Sequence, residues 1–352
     1  MIQSHSAHAQ LFDGPGLRFR LERPSLPGRL HPGEVIVAVR LAAICGSDLH
    51  TIDGTRAAPT PLVLGHEAVG LVVGVGSGRE DLSAGDRVTW SIAASCGRCA
   101  ACREQDLPQK CRHLFKYGHA AADDAGELNG GYASHMLLRP GTHVVHLPET
   151  LPDRVVVAAN CALATAVNAT EELPKPCRIA LVQGAGLLGV YTCALLREKG
   201  VGTVYVSDLD TTRLQMIERF GGIPIDADAV PRELDGAVDA AFEVAGHPGL
   251  VPAGITALRA GGQYALVGMV HPHSALQITG EAIIRKCLTL RGVHNYVPRH
   301  LDTAIAFLES TAGRYPYAEL VGDPIPLAEL DRAVELARSR AHHRVTVVPE
   351  AP

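Results

Sequence analysis

The chain has 352 residues, 47% of them apolar and 20% charged, a globular composition that excludes a disordered chain and fits about two domains. Its 32 basic and 37 acidic residues give a net charge of -5, and its aromatics are few: six Phe, eight Tyr and one Trp. It therefore has neither the basic surface nor the stacking platform of a nucleic-acid binder. No apolar run is long enough to cross a bilayer. Met1–Ser6 lacks a basic segment leading into an apolar core, so a cytoplasmic protein without a signal peptide or membrane contact is expected.

Up to about residue 150 the pattern is of short strands broken by Gly and Pro. Residues 34–40, 68–75, 86–90 and 132–138 read as strands, the signature of a small irregular β-barrel or sandwich. After about residue 160 the pattern changes. The apolar run Ile179–Gln183 suits a fully buried parallel strand, and a Gly-rich turn and a helix over 187–199 follow it. A strand at 203–208, a helix at 212–220 and strands at 238–244, 263–270 and 288–293 continue the alternation. Alternating strands and helices predict a doubly wound parallel sheet with helices on both faces. Helices at 301–310 and 327–338 and a strand at 345–348 return to the first style, and this C-terminal piece is expected to rejoin the first domain.

Gly184-Ala185-Gly186-Leu187-Leu188-Gly189 follows a predicted strand and opens a predicted helix. The first glycine permits the tight turn, the second lets the backbone approach a pyrophosphate, and the third lets helix and strand pack closely. The helix N-terminus offers free N–H groups to the phosphates. Asp208 ends the next strand, placed to accept hydrogen bonds from the adenosine ribose and to repel a 2′-phosphate, so NAD is favoured over NADP.

Nine cysteines without an export signal argue for metal or chemistry rather than disulfides. Cys96, Cys99, Cys102 and Cys111 fall within 16 residues, and two of the gaps are Cys-x-x-Cys. Four thiolates close a tetrahedral zinc shell, the pattern of a structural site. An iron–sulfur cluster also takes four cysteines, but no second redox partner is visible. Cys45, His66, Glu67 and Cys161 suggest a second site. Two sulfurs and one imidazole leave a fourth position for water or substrate, the pattern of a catalytic zinc. Cys177, Cys193 and Cys287 match no ligand position and read as packing.

With Cys45-Gly46-Ser47-Asp48, Gly65-His66-Glu67, Gly85-Asp86-Arg87-Val88, the cysteine lobe, Gly130-Gly131-Tyr132-Ala133, Cys161 and the glycine turn in this order, the chain resembles the zinc-dependent medium-chain alcohol dehydrogenases over nearly its whole length. The resemblance implies a GroES-like β-barrel catalytic domain over 1–160 and 296–352 and a Rossmann NAD-binding domain over 161–295, with the active site in the cleft between them. It implies two zinc ions per chain, one catalytic on Cys45, His66 and Cys161 and one structural on the lobe. Glu67 would approach or replace a ligand, and Asp48 would fix the tautomer of His66. Ser47 would take the alcohol proton and His50 would pass it to solvent. Thr165, Val244 and the Val267-Gly268-Met269 segment match positions around the nicotinamide, Arg213 an adenosine contact and Arg344 a pyrophosphate contact. The family also implies a homodimer or homotetramer. One departure stands out: eight residues separate Cys102 from Cys111, where the family usually has seven, and the extra residue is expected to bulge out.

Leu288–Tyr296, Pro298–Leu301, Asn160–Thr165 and Lys116–His119 are similar to a subgroup associated with phosphonate metabolism. A buried dianion needs cations or several N–H donors, which makes Lys116, His119, His294 and Arg299 candidates. The expected reaction interconverts an alcohol with an aldehyde or ketone, with phosphonoacetaldehyde and 2-hydroxyethylphosphonate as the narrower pair. The alternatives are a polyol, amino-alcohol or aliphatic alcohol dehydrogenase, or a non-catalytic sensor or scaffold. Cys45 and Ser47 speak against the last.

Overall fold

The computed structural model describes residues 7–122, 126 and 128–349; Met1–Ser6, the segment that bears on a signal peptide, lies outside them. Two units pack separately. One comprises Met1–Cys161, Val297–Ala312 and Tyr317–Pro352, and the other Ala162–Tyr296 and Gly313–Pro316.

The first unit is built on the strand Val35–Ala43, in which all but Ala38 and Arg40 are buried. It pairs antiparallel with Glu67–Val75, with His135–Leu138 and with the C-terminal strand Thr346–Val348. Arg87–Trp90, Val144–His146 and Ile325–Pro326 extend this sheet. Arg20–Glu22, Ala9–Phe12 and Leu62–Val63 form a second, three-stranded antiparallel sheet. The core between them holds Phe12, Val37, Leu64, Trp90, Tyr132 and Met136, and each fully buried apolar side chain contributes about 1.5–3 kcal/mol. The segment at 132–138 forms a strand only from His135. Tyr132 and Gly131 instead donate their N–H groups to Leu64 and Gly65, which ties this chain to the loop that carries His66.

The second unit is a six-stranded parallel sheet in the order Ile223–Asp226, Thr203–Asp208, Ile179–Gln183, Val238–Glu243, Leu258–Leu266, Thr289–Gly292. The helix Leu187–Glu198 follows the third of these in space and is buried along most of its length. The helix Thr211–Arg219 starts at Asp210, whose carboxylate accepts the N–H groups of Thr212 and Arg213, a capping geometry that side chain favours. The strand expected at 263–270 runs from Leu258 to Leu266. Beyond it, the N–H groups of Val267 and Gly268 both converge on the Glu243 carbonyl, and that of Gly268 also reaches the Glu243 carboxylate, so the regular ladder ends there. Cys193 is buried and donates to the Phe220 carbonyl, as packing requires. Cys287 is exposed and has a left-handed backbone, φ 49°, which corrects its reading as a packing residue. Among the described residues, no helix is long and apolar enough to cross a membrane.

Candidate metal centre and dinucleotide turn

Cys45, His66, Glu67 and Cys161 converge, each offering a donor atom, and all of these atoms lie within 4.8 Å of one another. Three separate segments bring them there. Cys45 caps the helix Gly46–Ile52, His66 immediately precedes and Glu67 opens a central strand, and Cys161 lies in the π-helical turn Ala159–Leu163. The turn is fixed from within: Asn160 donates through Nδ2 to the carbonyls of His66 and Trp90, at 3.0 and 2.9 Å. His66 itself is held by a close backbone approach. Gly65 has φ +90°, and a Cβ there would lie 2.7 Å from the Tyr132 ring.

Polar side chains orient these donors. Asp48 is fully buried and places Oδ1 3.3 Å from His66 Nδ1, while its Oδ2 accepts the N–H of Cys45 at 2.9 Å and the hydroxyl of Tyr132 at 3.1 Å. A proton held at Nδ1 leaves Nε2 as the ligand atom. Burial opposes charge on His66, but the Asp48 carboxylate overrides it and pushes the pKa up to about 10. The Cys45 thiol is held well below its usual range, first by the Cys161 thiol and then, against burial, by Arg344 and His66. This favours the thiolate form that a metal takes, and metal loading displaces protons from the donors. Two sulfurs, an imidazole and a carboxylate, aimed at one point and oriented from behind, suit zinc.

Ser47 lies inside the helix, not at its N-cap, which is Cys45. Its Oγ sits 3.5 Å from His66 Nε2. His50 is one turn further along and exposed, with Nδ1 3.2 Å from Thr55 Oγ1. Arg344 clasps Glu67 through Nε at 2.7 Å and Nη2 at 3.0 Å, and Nη2 reaches Cys45 Sγ at 3.6 Å. Burial pushes the Glu67 carboxyl up to about 7 against the pull of Arg344. The sequence suggests a pyrophosphate contact for Arg344, but in the structure its guanidinium is committed to this carboxylate.

The four lobe cysteines also converge within 4.8 Å. Cys99 Sγ lies 3.5 Å from Cys102 Sγ and 3.8 Å from Cys111 Sγ. Backbone N–H groups of Cys96 and His113 point at Cys111 Sγ, and those of Arg112 and Cys102 pull Cys99 down to about 6. The longer last gap does not remove Cys111 from the group. Asp106 takes a left-handed backbone, φ 49°, and a 3-10 turn at Pro108–Lys110 delivers the cysteine.

In the second unit, Gly184 has φ +119°, and a Cβ on Gly189 would sit 1.8 Å from the Gly184 carbonyl oxygen. Both positions therefore require glycine. Above Gly186, among the described residues, only Arg213 Nη1 comes near, 3.9 Å from where a Cβ would be. Asp208 closes the turn, accepting from Ala185 N–H at 2.7 Å and Asp210 N–H at 2.9 Å. Leu187 is buried and opens the helix with Leu188. Thr165 stands in the helix Ala164–Ala169. Val244, Val267, Gly268 and Met269 follow the strand ends beside Glu243. Sequence reasoning missed Glu243. It is fully buried, and its carboxylate accepts the N–H groups of Gly246, His247 and Gly268, holding both loops. Its one sequence signal is an acidic residue at the end of an otherwise apolar strand.

The four candidate substrate residues separate. His119 lies with the metal centre, its ring 5.1 Å from that of His66, and Lys116 lies in the strand leading to it. Arg299 is exposed and pairs with Asp106 at 2.9 Å. His294 belongs to the second unit, beyond Gly292. A residue the sequence did not single out, Arg56, donates to His119 Nε2 at 2.7 Å.

Residues 31–149 match the model of the alcohol dehydrogenase GroES-like domain, and residues 153–347 match that of the glucose dehydrogenase C-terminus. The chain is 32% identical over 298 residues to an L-threonine 3-dehydrogenase of Saccharopolyspora erythraea, covering 80% of this chain and 81% of the relative. It is 30% identical over 328 residues to a probable zinc-binding alcohol dehydrogenase of Mycobacterium tuberculosis, covering 90% and 81%. An alcohol dehydrogenase of Thermotoga maritima superposes with a TM-score of 0.91 at 26% identity, covering 98% of this chain and all of that one. The glycine turn, the two cysteine-bearing centres and these likenesses agree: the chain belongs to the zinc-dependent medium-chain alcohol dehydrogenases.

Proposed function

We propose that the protein is an NAD-dependent dehydrogenase of this family acting on a short phosphonate alcohol or aldehyde. The observation that carries the chemistry is the Cys45–His66–Cys161 cluster with the Ser47 hydroxyl beside His66 Nε2. When bound, zinc lowers the pKa of an alcohol oxygen and the nicotinamide takes the hydride. The chain's own residues do the rest. Cys45, His66 and Cys161 hold the ion, and Asp48 keeps the His66 proton on Nδ1. Glu67 stands by with its charge matched by Arg344. Ser47 Oγ would take the alcohol proton as it releases its own, and His50, one helical turn away and exposed, would pass a proton to solvent. Gly184, Gly186 and Gly189 admit the pyrophosphate. Asp208 keeps acceptor capacity for ribose hydroxyls, and Arg213 flanks the adenosine.

The likeness to an L-threonine 3-dehydrogenase supports a second reading, an amino-alcohol dehydrogenase. The deciding experiment is NADH oxidation with phosphonoacetaldehyde against a simple aldehyde of the same length, with L-threonine and NAD run in parallel. Preference for the phosphonate supports the first reading, and its absence beside turnover of another substrate removes it. NADPH is expected to be at least about tenfold poorer than NADH, because a 2′-phosphate would face the Asp208 carboxylate.

A further inference from the structure

We infer that Arg56, Lys116 and His119 form a subsite beside the metal centre that binds a negatively charged oxyanion group on the substrate. This rests on the dehydrogenase reading only in taking the Cys45–His66–Cys161 cluster as the place of the reacting oxygen.

His119 is fixed on three sides. Its Nδ1 lies 2.8 Å from the Tyr117 carbonyl, and its Nε2 accepts from Arg56 Nη1. Because Nδ1 carries the proton, the ring is neutral and acts as a bracket for the guanidinium. Its backbone is pressed onto the His66 loop: a Cβ on Gly118 would lie 2.5 Å from the Gly65 carbonyl oxygen. The two imidazoles are thereby held 5.1 Å apart, the reach of about four carbon–carbon bonds. Arg56 spends one donor on His119, and its backbone N–H goes to the His50 carbonyl. The rest of the fork is available, and it suits a carboxylate or phosphonate.

The charges nearby do not neutralise this group. Glu67 is matched by Arg344, and Asp48 is committed to His66, Cys45 and Tyr132. Among the described residues neither Arg56 nor Lys116 has an ion pair, and the Lys116 ammonium has no hydrogen-bond partner. Lys116 is nevertheless mostly buried. Burial and the Arg56 charge pull it below the ordinary lysine range, while the Cys161, Cys45 and Asp48 charges act against that. Two cations held together in a partly desolvated site, with no carboxylate between them, ask for an anion.

Ethylphosphonate and propionate carry the two kinds of negative group but no carbinol, so calorimetric titration of the zinc-loaded enzyme with each reads the subsite without turnover. Arg56→Ala is expected to weaken binding of the better probe by about 10–100-fold, the loss of charge-assisted hydrogen bonds, with Arg56→Lys recovering part of it. Lys116→Met keeps the bulk and removes the charge. It is expected to act in the same direction, and it guards against an Arg56 variant that fails to fold. In turnover, both variants should lower the ratio of kcat/KM for an anionic aldehyde to that for a neutral one. The better probe tells a phosphonate site from a carboxylate site. Wild-type enzyme that binds neither probe, or variants that bind as well as wild type, would overturn the subsite. Failure of the dehydrogenase reading looks different: no alcohol or aldehyde is turned over, while probe binding still falls in the variants.

Discussion

The two cysteine-bearing centres offer the same number of donors within the same radius, yet they are made differently. The lobe gathers Cys96, Cys99, Cys102 and Cys111 from one short stretch, and its sulfurs are steadied mainly by backbone N–H groups of that stretch. The other centre draws on residues 116 positions apart. Its His66 and Glu67 are buried, and side chains steady it: Asp48 behind His66, Arg344 behind Glu67 and Tyr132 behind Asp48. Four sulfurs steadied by backbone N–H groups suit a closed structural site, whereas a mixed set with a hydroxyl at its edge suits chemistry. The difference teaches that donor count identifies a metal site and the second layer identifies its job.

If that distinction is right, the two sites should fail in different ways. Cys45→Ala gives the largest expected effect. It should lower kcat/KM at least about 1,000-fold, because several kcal/mol of charge stabilisation go with the metal. It should also remove one zinc per chain, and NADH binding read by fluorescence should persist. Turnover that survives with one zinc lost would break the assignment of chemistry to this centre.

Cys111→Ser is the counterpart. It should also cost one zinc per chain, but its main result should be a fall in Tm of about 5–10 °C, since a structural zinc contributes folding energy directly. Its loss of turnover should be smaller than that of Cys45→Ala. Equal loss of Tm in the two variants, followed by calorimetry, would erase the contrast.

The same contrast explains what the sequence made legible. The lobe is readable because its spacing is local, and the glycine turn because a strand, three glycines and a helix must follow one another. The strand Ile179–Gln183 carries its burial in an apolar run. The centre around Cys45 is readable only through motifs in a fixed order, since no local rule joins Cys45 to Cys161. Its second layer is harder still. Arg344 reads as a phosphate contact until its distance to Glu67 is known. Arg56 carries no signal at all, because an arginine in a Gly/Thr loop is ordinary, and its partner His119 lies 63 residues away.

Tyr132→Phe is the smallest and sharpest test of the second layer. The Tyr132 hydroxyl is buried and donates to Asp48 Oδ2. Removing it leaves the ring packing and all four donors of the metal centre in place. Asp48 keeps the Cys45 N–H and His66 but loses one of its hydrogen bonds, so stability should fall by about 1–2 kcal/mol in urea unfolding. If Asp48 acts through His66, the loss should also reach the metal: zinc affinity in competition with a chelator should fall about tenfold. The lobe zinc should not respond, because no side chain of that layer touches it. A variant that loses stability but no zinc affinity would mean that the Tyr132–Asp48 contact only fills the core. One in which both zinc sites weaken together would mean that the two centres share a scaffold rather than differ in kind.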